Sequence, residues 1–512
     1  MTLELILLVV YFGVMIGIGF HCSRHATNLN GFVLGGRSVG PWLTAFAYGT
    51  SYFSAVIFVG YAGQFGWKYG IASTWIGIGN AIIGSLLAWG VLGRRTRIIT
   101  QHLGSATMPQ YFSSRFHSKS LKIGASVIIF IFLVPYTASL YNGLSRLFGM
   151  AFHIDYAVCI LLMSVLTAIY VLAGGYMATA INDFIQGIIM LGGIVAVVAA
   201  VLMSKGGFTA ALEGLSQVSD PAVSTVPGVF NSFFGPDPLN LLFVVILTSL
   251  GTWGLPQMVQ KFYSIKSEHS IKKGMVISTI FAMVVAGGCY FLGGFGRLFS
   301  DRVDVAAEGY DAIIPAMLSD LSPLLIALVV ILVLSASMST LSSLVMTSSS
   351  TLIIDFLMGT TGAKISEKMQ LILIRVMIVG FIAISAVIAL VQYKSNVTFI
   401  AQLMGVSWGA LAGAFLAPFL YSLYWKGTTR TACWTSFLFG SGLMILNMTC
   451  RPAFPALLQS PINCGVIAMM AGLILVPVVS LFTKKPDKAL VDGAFSCYEQ
   501  TTEVKVTTSL GE

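Results

Sequence analysis

The sequence predicts an all-α polytopic membrane protein, and three observations carry that prediction. Of its 512 residues 56% are hydrophobic and 9% charged, whereas a soluble domain carries roughly 25% charged residues and needs them to cover its surface. Apolar runs long enough to cross a bilayer recur along the whole chain, too long and continuous for the short alternating strands of a membrane barrel. Cationic residues gather in every second loop, as orientation in a membrane requires.

The spans follow in order. The N-terminal MTLELILLVVYFGVMIGIGF is apolar at once and lacks the positive leader and small-residue cleavage site of a signal peptide, so it reads as a retained first span. Further windows fall at 41–62, 71–92, 123–146, 155–173, 177–203, 239–260, 274–296, 321–353, 370–392, 397–424, 431–449 and 462–482, about thirteen in all with 3–21. The 321–353 window is over-long, which implies tilt or a break. If the N-terminus lies outside, the inner loops hold Arg24, Arg37, Arg94, Arg95, Arg97, Arg115, Lys119, Lys122, Lys261, Lys266, Lys272, Lys273, Lys364, Lys368, Lys426 and Arg430, and the tail adds more. The outer loops hold only Lys68, Arg146, Lys205, Arg297, Arg302, Lys394 and Arg451. The expected placement is therefore the plasma membrane, N-terminus outside and C-terminus inside. The formal net charge of +9 is explained by this orientation and needs no nucleic acid partner, and no obligate protein partner is expected. The tail after Thr483 is polar and mixed, and weak order is expected there.

The expected organisation is 1–40 as first span and inner loop and 41–424 as core, split into 41–203 and 239–424. Two further spans fill 425–483, and a cytoplasmic tail fills 484–512. The seven cysteines have no metal-ligand spacing, and only Cys450 and Cys464 flank a common loop.

Two spans carry interruptions. The second contains GTSYFS at 49–54, and the seventh contains Gly251, Gly254 and Pro256. Proline removes a backbone donor and crowds the preceding turn. The two breaks lie five spans apart, so they open the two halves of a five-plus-five core of inverted topology. Paired broken helices at matching positions point to a transport site near the membrane midplane. Two unrelated kinks would look alike in the sequence.

The ninth span ends in VLSASMSTLSSLVMTSSS, 333–350. Helical spacing puts Ala336, Ser339, Thr340, Ser343 and Thr347 on one face. Such a stripe serves a polar neighbour, or else back-bonding and close packing of small residues. Ser342 and Ser348 to Ser350 lie off this face or beyond it. Asp183 and Gln186 stand within the sixth span, where ionisable groups are costly and usually functional. Arg37 and Arg375 read as anchors or gate residues.

FVLGGRSVGPWLTAFAYGTSYFSA (32–55), TMPQYFSSRF (107–116), AGGYMATAINDFIQG (173–187) and MSTLSS (338–343) with Asp355 resemble, in order, the motifs of the sodium:solute symporter family, closest to its proline and pantothenate branch. The resemblance implies a LeuT-like inverted-repeat core, sodium-driven uptake of a small organic solute by alternating access, and no enzyme activity. It implies a sodium ion bound by the carbonyls of Thr50, Phe53 and Ala336 and the hydroxyls of Ser339 and Thr340. It gives Asp183, with Gln186, a role in the ion pathway. Neutral oxygens suit a hard cation that must also be released.

The same resemblance places the solute between spans two, four and seven. Tyr136 matches a tyrosine of the proline carriers, and Ser54, Trp253 and Gln257 line the breaks. Gln64 and Trp67 stand at the outer end of span two. Tyr52 replaces an aspartate of the proline carriers, and Thr248 and Thr252 replace an aromatic pair, which puts proline itself in doubt. A proton-coupled carrier of the same fold would want an ionisable group at the core site. A sensor homologue would want an output domain after the last span.

Overall fold

The computed structural model describes residues 2–23, 28–152, 155–361, 365–395 and 400–498. Arg24, Lys364 and the tail from 499 lie outside them, as does the side chain of Lys394. Among the described residues there are helices and two isolated β-bridges but no strand. By length and hydropathy eight helices can cross a membrane, or nine if one bent pair counts as a span. The other predicted windows fall on helices that miss that criterion. The first is α1 (Thr2–Cys22), of which Ile6–Cys22 qualifies only as a short apolar helix.

The second span is α2 (Pro41–Tyr52), a break, a π-helical turn over Val56–Tyr61 and α3 (Ala62–Tyr69). The third starts as α4 (Thr74–Ala81) and runs through further wide turns into α5 (Arg94–His102). After α6 (Met108–Phe116), the fourth span is α7 (Lys119–Phe152). The fifth and sixth windows merge in α8 (Tyr156–Ser204), which kinks at Gly175 with φ 57° and ψ −155°. That left-handed φ favours glycine, and a Cβ would sit 2.8 Å from the Phe32 ring.

The seventh span is α9 (Pro238–Ser249), a 3₁₀ turn over Leu250–Gly254, and α10 (Pro256–Tyr263), with a bend of 47° between the two parts. Pro256 starts α10, where its missing N–H costs nothing. The eighth span is α11 (Glu268–Gly293). The ninth, α12 (Pro323–Ser350), is unbroken over 28 residues and passes into a π-helical turn over Thr351–Leu357, so the over-long window is one continuous helix and not two pieces. Then come α13 (Glu367–Ser395), α14 (Ile400–Tyr424), α15 (Arg430–Thr449) and α16 (Pro461–Phe482).

Position in the bundle follows composition. From Leu332 to Ser350 every residue of α12 is buried, so its hydroxyls face protein on all sides. Elsewhere in the bundle small residues let neighbouring backbones close in on one another. A Cβ on Gly66 would lie 2.0 Å from the Gly293 backbone, and one on Gly254 would lie 2.8 Å from the Leu416 nitrogen. Val9 on α1, Val387 on α13 and Leu481 on α16 are exposed, as lipid-facing residues should be.

The tail departs from expectation. Lys488–Phe495 forms α17, followed by a 3₁₀ turn to Tyr498. Val491, Ala494 and Phe495 are buried, and Phe495 lies under the Arg115 guanidinium at 4.9 Å. Arg95 stacks on Tyr498 at 4.6 Å, and Lys426 pairs with Asp492 at 2.7 Å. One apolar helical face is diluted by its polar neighbours when composition is averaged, so the sequence reading missed it.

Candidate ion and solute site

α2 ends at Tyr52 because Phe53 turns extended, with φ −102° and ψ 134°. The break thus comes after Gly49, at Phe53 and Ser54. Carbonyls that the next turn would have used are left free. The amide of Ala55, where the helix restarts, donates to Ser337 Oγ at 3.0 Å. Thr340 Oγ1 lies 3.3 Å from Thr50 O, 3.1 Å from Phe53 O and 3.1 Å from Ala336 O. Ser339 Oγ donates to Thr50 Oγ1 at 2.7 Å.

One hydroxyl proton cannot serve three carbonyls. Three acceptors and a hydroxyl oxygen therefore converge with lone pairs to spare. Oxygens about 3 Å apart are spaced for a hard cation that takes ligands at roughly 2.3–2.6 Å. All five predicted ion ligands are brought together and buried.

The same break meets the other one. The Tyr52 hydroxyl donates to the Thr248 carbonyl at the end of α9, and its ring lies 6.0 Å from Trp408 on α14. Trp408 also faces Tyr136 edge-on at 5.9 Å. The Tyr136 hydroxyl lies beside Ser54 and the Trp408 indole. Yet Tyr136 Oη, Ser54 Oγ and Trp408 Nε1 are buried without a hydrogen-bond partner, as are both amide atoms of Gln257. Buried polar atoms are normally paired, so this set is chemically ready for a polar ligand. Trp253 is already engaged, its indole nitrogen donating to Ile83 O at 3.0 Å.

Asp183 is fully buried on α8 and lies 3.7 Å from the ammonium of Lys261 on α10. The sequence reading counted Lys261 as an inner-loop cation. It is instead 3% exposed within the broken seventh span, because α10 continues that span after Pro256. Gln186 is not part of this cluster: its amide donates to Tyr11 Oη on α1 at 2.9 Å. Arg37 is an anchor. Its guanidinium donates to the carbonyls of Tyr263, Thr100 and Ser105 at 3.1, 3.3 and 2.6 Å. Gln64 and Trp67 line a separate vestibule of about 730 Å³ with Lys68, Asp237 and Arg297.

The sequence profile of the sodium:solute symporter family matches residues 32–440. The chain belongs to the sodium:solute symporter family. It is 30% identical over 492 residues to sodium/proline symporter 2 of Staphylococcus saprophyticus, covering 94% of this chain and 93% of that one. It is 32% identical to the sodium/proline symporter of Staphylococcus aureus, over 86% of this chain and 85% of the relative. Among solved structures it matches a Na⁺-coupled sialic acid symporter with TM-score 0.73 and 17% identity, covering 94% of this chain and 98% of that one. A manganese transporter of Eremococcus coleocola matches with TM-score 0.51 and 12% identity, over 86% of this chain and 95% of the other. These structural likenesses are ones of fold alone.

Sequence reasoning missed Lys261, Ser337 and Trp408. Lys261 was hidden by counting it with loop charges. Ser337 lies off the stripe and serves the backbone of the break. Trp408, in the small-residue run WGALAGA, carried a signal in being the one bulky side chain at the start of a run built for close approach.

Proposed function

We propose that this chain is a sodium-coupled symporter that takes up a small organic solute across the cell membrane. The observation that carries this reading is the convergence of Thr340 Oγ1 with three carbonyl oxygens at a helix break. Sodium is the coupling ion, held by Thr50, Phe53, Ala336, Ser339 and Thr340. None of the five offers an ionisable side chain, which disfavours protons in that role. The loop cations support a bilayer orientation with the N-terminus outside.

The solute occupies the space beside Tyr136, Ser54, Trp408 and Gln257. The relatives' names support an amino acid such as proline, and the orphaned hydroxyl, indole and amide groups suit a small zwitterion or carboxylate. Sodium joins α2 to α12 and forms the outward-facing pocket. Solute binding closes it, and the core rocks to release both on the inside. A membrane potential of about 100 mV supplies ~2.3 kcal/mol per charge. A tenfold sodium gradient adds about 1.4 kcal/mol, enough together for several-hundredfold accumulation.

The test is uptake of proline, pantothenate and short carboxylates into proteoliposomes, with and without an inward sodium gradient. Gradient-dependent accumulation of one of them is expected. Equal rates under both conditions would reject sodium coupling.

A further inference from the structure

One helical turn beyond the oxygen cage lies a second oxygen cluster, and a lysine already fills it. Ser343 follows Ser339 by four residues on α12, about 6 Å along the axis, and Ser51 follows Thr50 on α2. Lys261 Nζ donates to Ser343 Oγ at 2.9 Å, and Ser343 Oγ is 2.8 Å from Ser51 Oγ. The Asp183 carboxylate completes the cluster at 3.7 Å from the ammonium. The Tyr176 ring lies on another side of the ammonium, 5.2 Å away. Lys261 and Asp183 side chains are 3% and 1% exposed.

A buried carboxylate in a membrane interior needs a positive charge next to it. A mobile alkali ion and a tethered ammonium are interchangeable for that purpose. Each carries one unit of charge and is satisfied by carboxylate and hydroxyl oxygens. Here the tether supplies it. The ion pair is longer than a hydrogen bond, and neither Asp183 oxygen has a hydrogen-bond partner, so the carboxylate keeps free acceptor capacity.

We propose that Lys261 is a resident cation standing where a second coupling sodium would otherwise bind, and that it fixes the carrier at one sodium per solute. This inference rests on the carrier reading above. In it the lysine touches neither solute nor the coupling sodium. It acts by occupying Asp183, Ser343 and Ser51, and it is a positioning residue that sets stoichiometry.

The experiment measures the ²²Na⁺-to-solute flux ratio in proteoliposomes, and the Hill coefficient of sodium-dependent thermal stabilisation of the purified full chain. Wild type should give a ratio and a coefficient of about one. Lys261→Ala should raise both toward two, because the vacated oxygens then accept a second ion. Lys261→Arg and the Lys261→Ala/Asp183→Asn double variant should both stay near one, since one keeps the charge and the other removes the need for it. A merely structural ion pair would lower stability without moving either number. A wild-type ratio of two, or a Lys261→Ala variant that still binds one sodium, overturns the proposal. Should Lys261→Ala fail to fold, Lys261→Met, which keeps the bulk of the side chain and removes the charge, takes its place in both measurements with the same expected rise toward two. A wild-type chain with no sodium response in stability or flux would reject the carrier reading, and this inference with it. A ratio of two would reject only the inference.

Discussion

Thr340 Oγ1 lies 3.1 Å from the carbonyl oxygen of Phe53, a residue 287 positions away in the chain. The contact exists because α2 stops at Tyr52 and α12 presents a hydroxyl at that level. Replacing Thr340 by valine keeps the shape and removes the oxygen. Half-saturating sodium should rise at least tenfold, a loss of about 1.4 kcal/mol, while Thr340→Ser stays close to wild type. Sodium titration of solute uptake measures both, and an unchanged Thr340→Val would remove Thr340 from the cage.

Tyr136 offers an unpartnered hydroxyl beside Ser54 and Trp408. One hydrogen bond is worth about 0.5–1.5 kcal/mol net. Tyr136→Phe should therefore raise the solute KM by roughly 2- to 10-fold at fixed sodium, with half-saturating sodium unchanged. Initial-rate kinetics separate the two constants. Equal KM values would show that the solute does not use this hydroxyl.

Arg37 ties three backbone carbonyls together with one planar group, those of Thr100 and Tyr263 near the ends of α5 and α10 and that of Ser105 in the loop after α5. A lysine presents a single point charge and cannot span them. Both Arg37→Ala and Arg37→Lys should lower the melting temperature in detergent by several degrees. Full recovery by lysine would mean that charge alone suffices.

Asp311 stands outside the spans, buried, with Oδ2 accepting from the Ile400 amide at 3.2 Å. Burial raises its pKa to about 6, against lowering contributions from that amide and from Arg146. A carboxyl raised in the folded state favours folding below its unfolded pKa and loses that contribution as pH climbs through the folded value. Asp311→Asn should thus stabilise the protein relative to wild type at pH 7.5 by about 1 kcal/mol more than at pH 5. Paired melting curves at the two pH values give the difference, and a constant offset would contradict it.

The fold was legible because lipid imposes simple rules. Long apolar runs must be helices, and interruptions at depth must be buried in protein or line a wet cavity. Hence both broken spans could be read directly, whereas the five cage residues came from the family resemblance and not from the hydroxyl stripe alone. The hydroxyl stripe had two readings, and Thr340 carries both, since its hydroxyl faces the break and also bonds back to Ala336 O at 3.1 Å, while Ser342 lies off the stripe. Ser339 and Thr340 face the break, Ser343 and Thr347 face Lys261 and Gln260 on α10, and Ser342 bonds back to its own helix. What escaped depended on where a bend sends a side chain. Lys261 looks like a loop residue until the 47° bend of the seventh span carries α10 onward beneath α12. Gln186 shares a motif and a helix face with Asp183, but its amide is taken by the Tyr11 hydroxyl on α1 and does not reach Lys261.

The placement of α17 bears on how the molecule is made. Arg95 and Arg115 are synthesised hundreds of residues before Phe495 and Tyr498, the rings that cover them. Chains fold from the N-terminal side as they emerge, so these guanidiniums gain that cover last, after Arg95 has met Tyr424 at 4.2 Å and Arg115 its neighbour Phe116 at 5.0 Å. A product terminated after Phe482 would hold every apolar helix and still expose that patch. α17 thereby joins the late part of the chain to helices made in its first half.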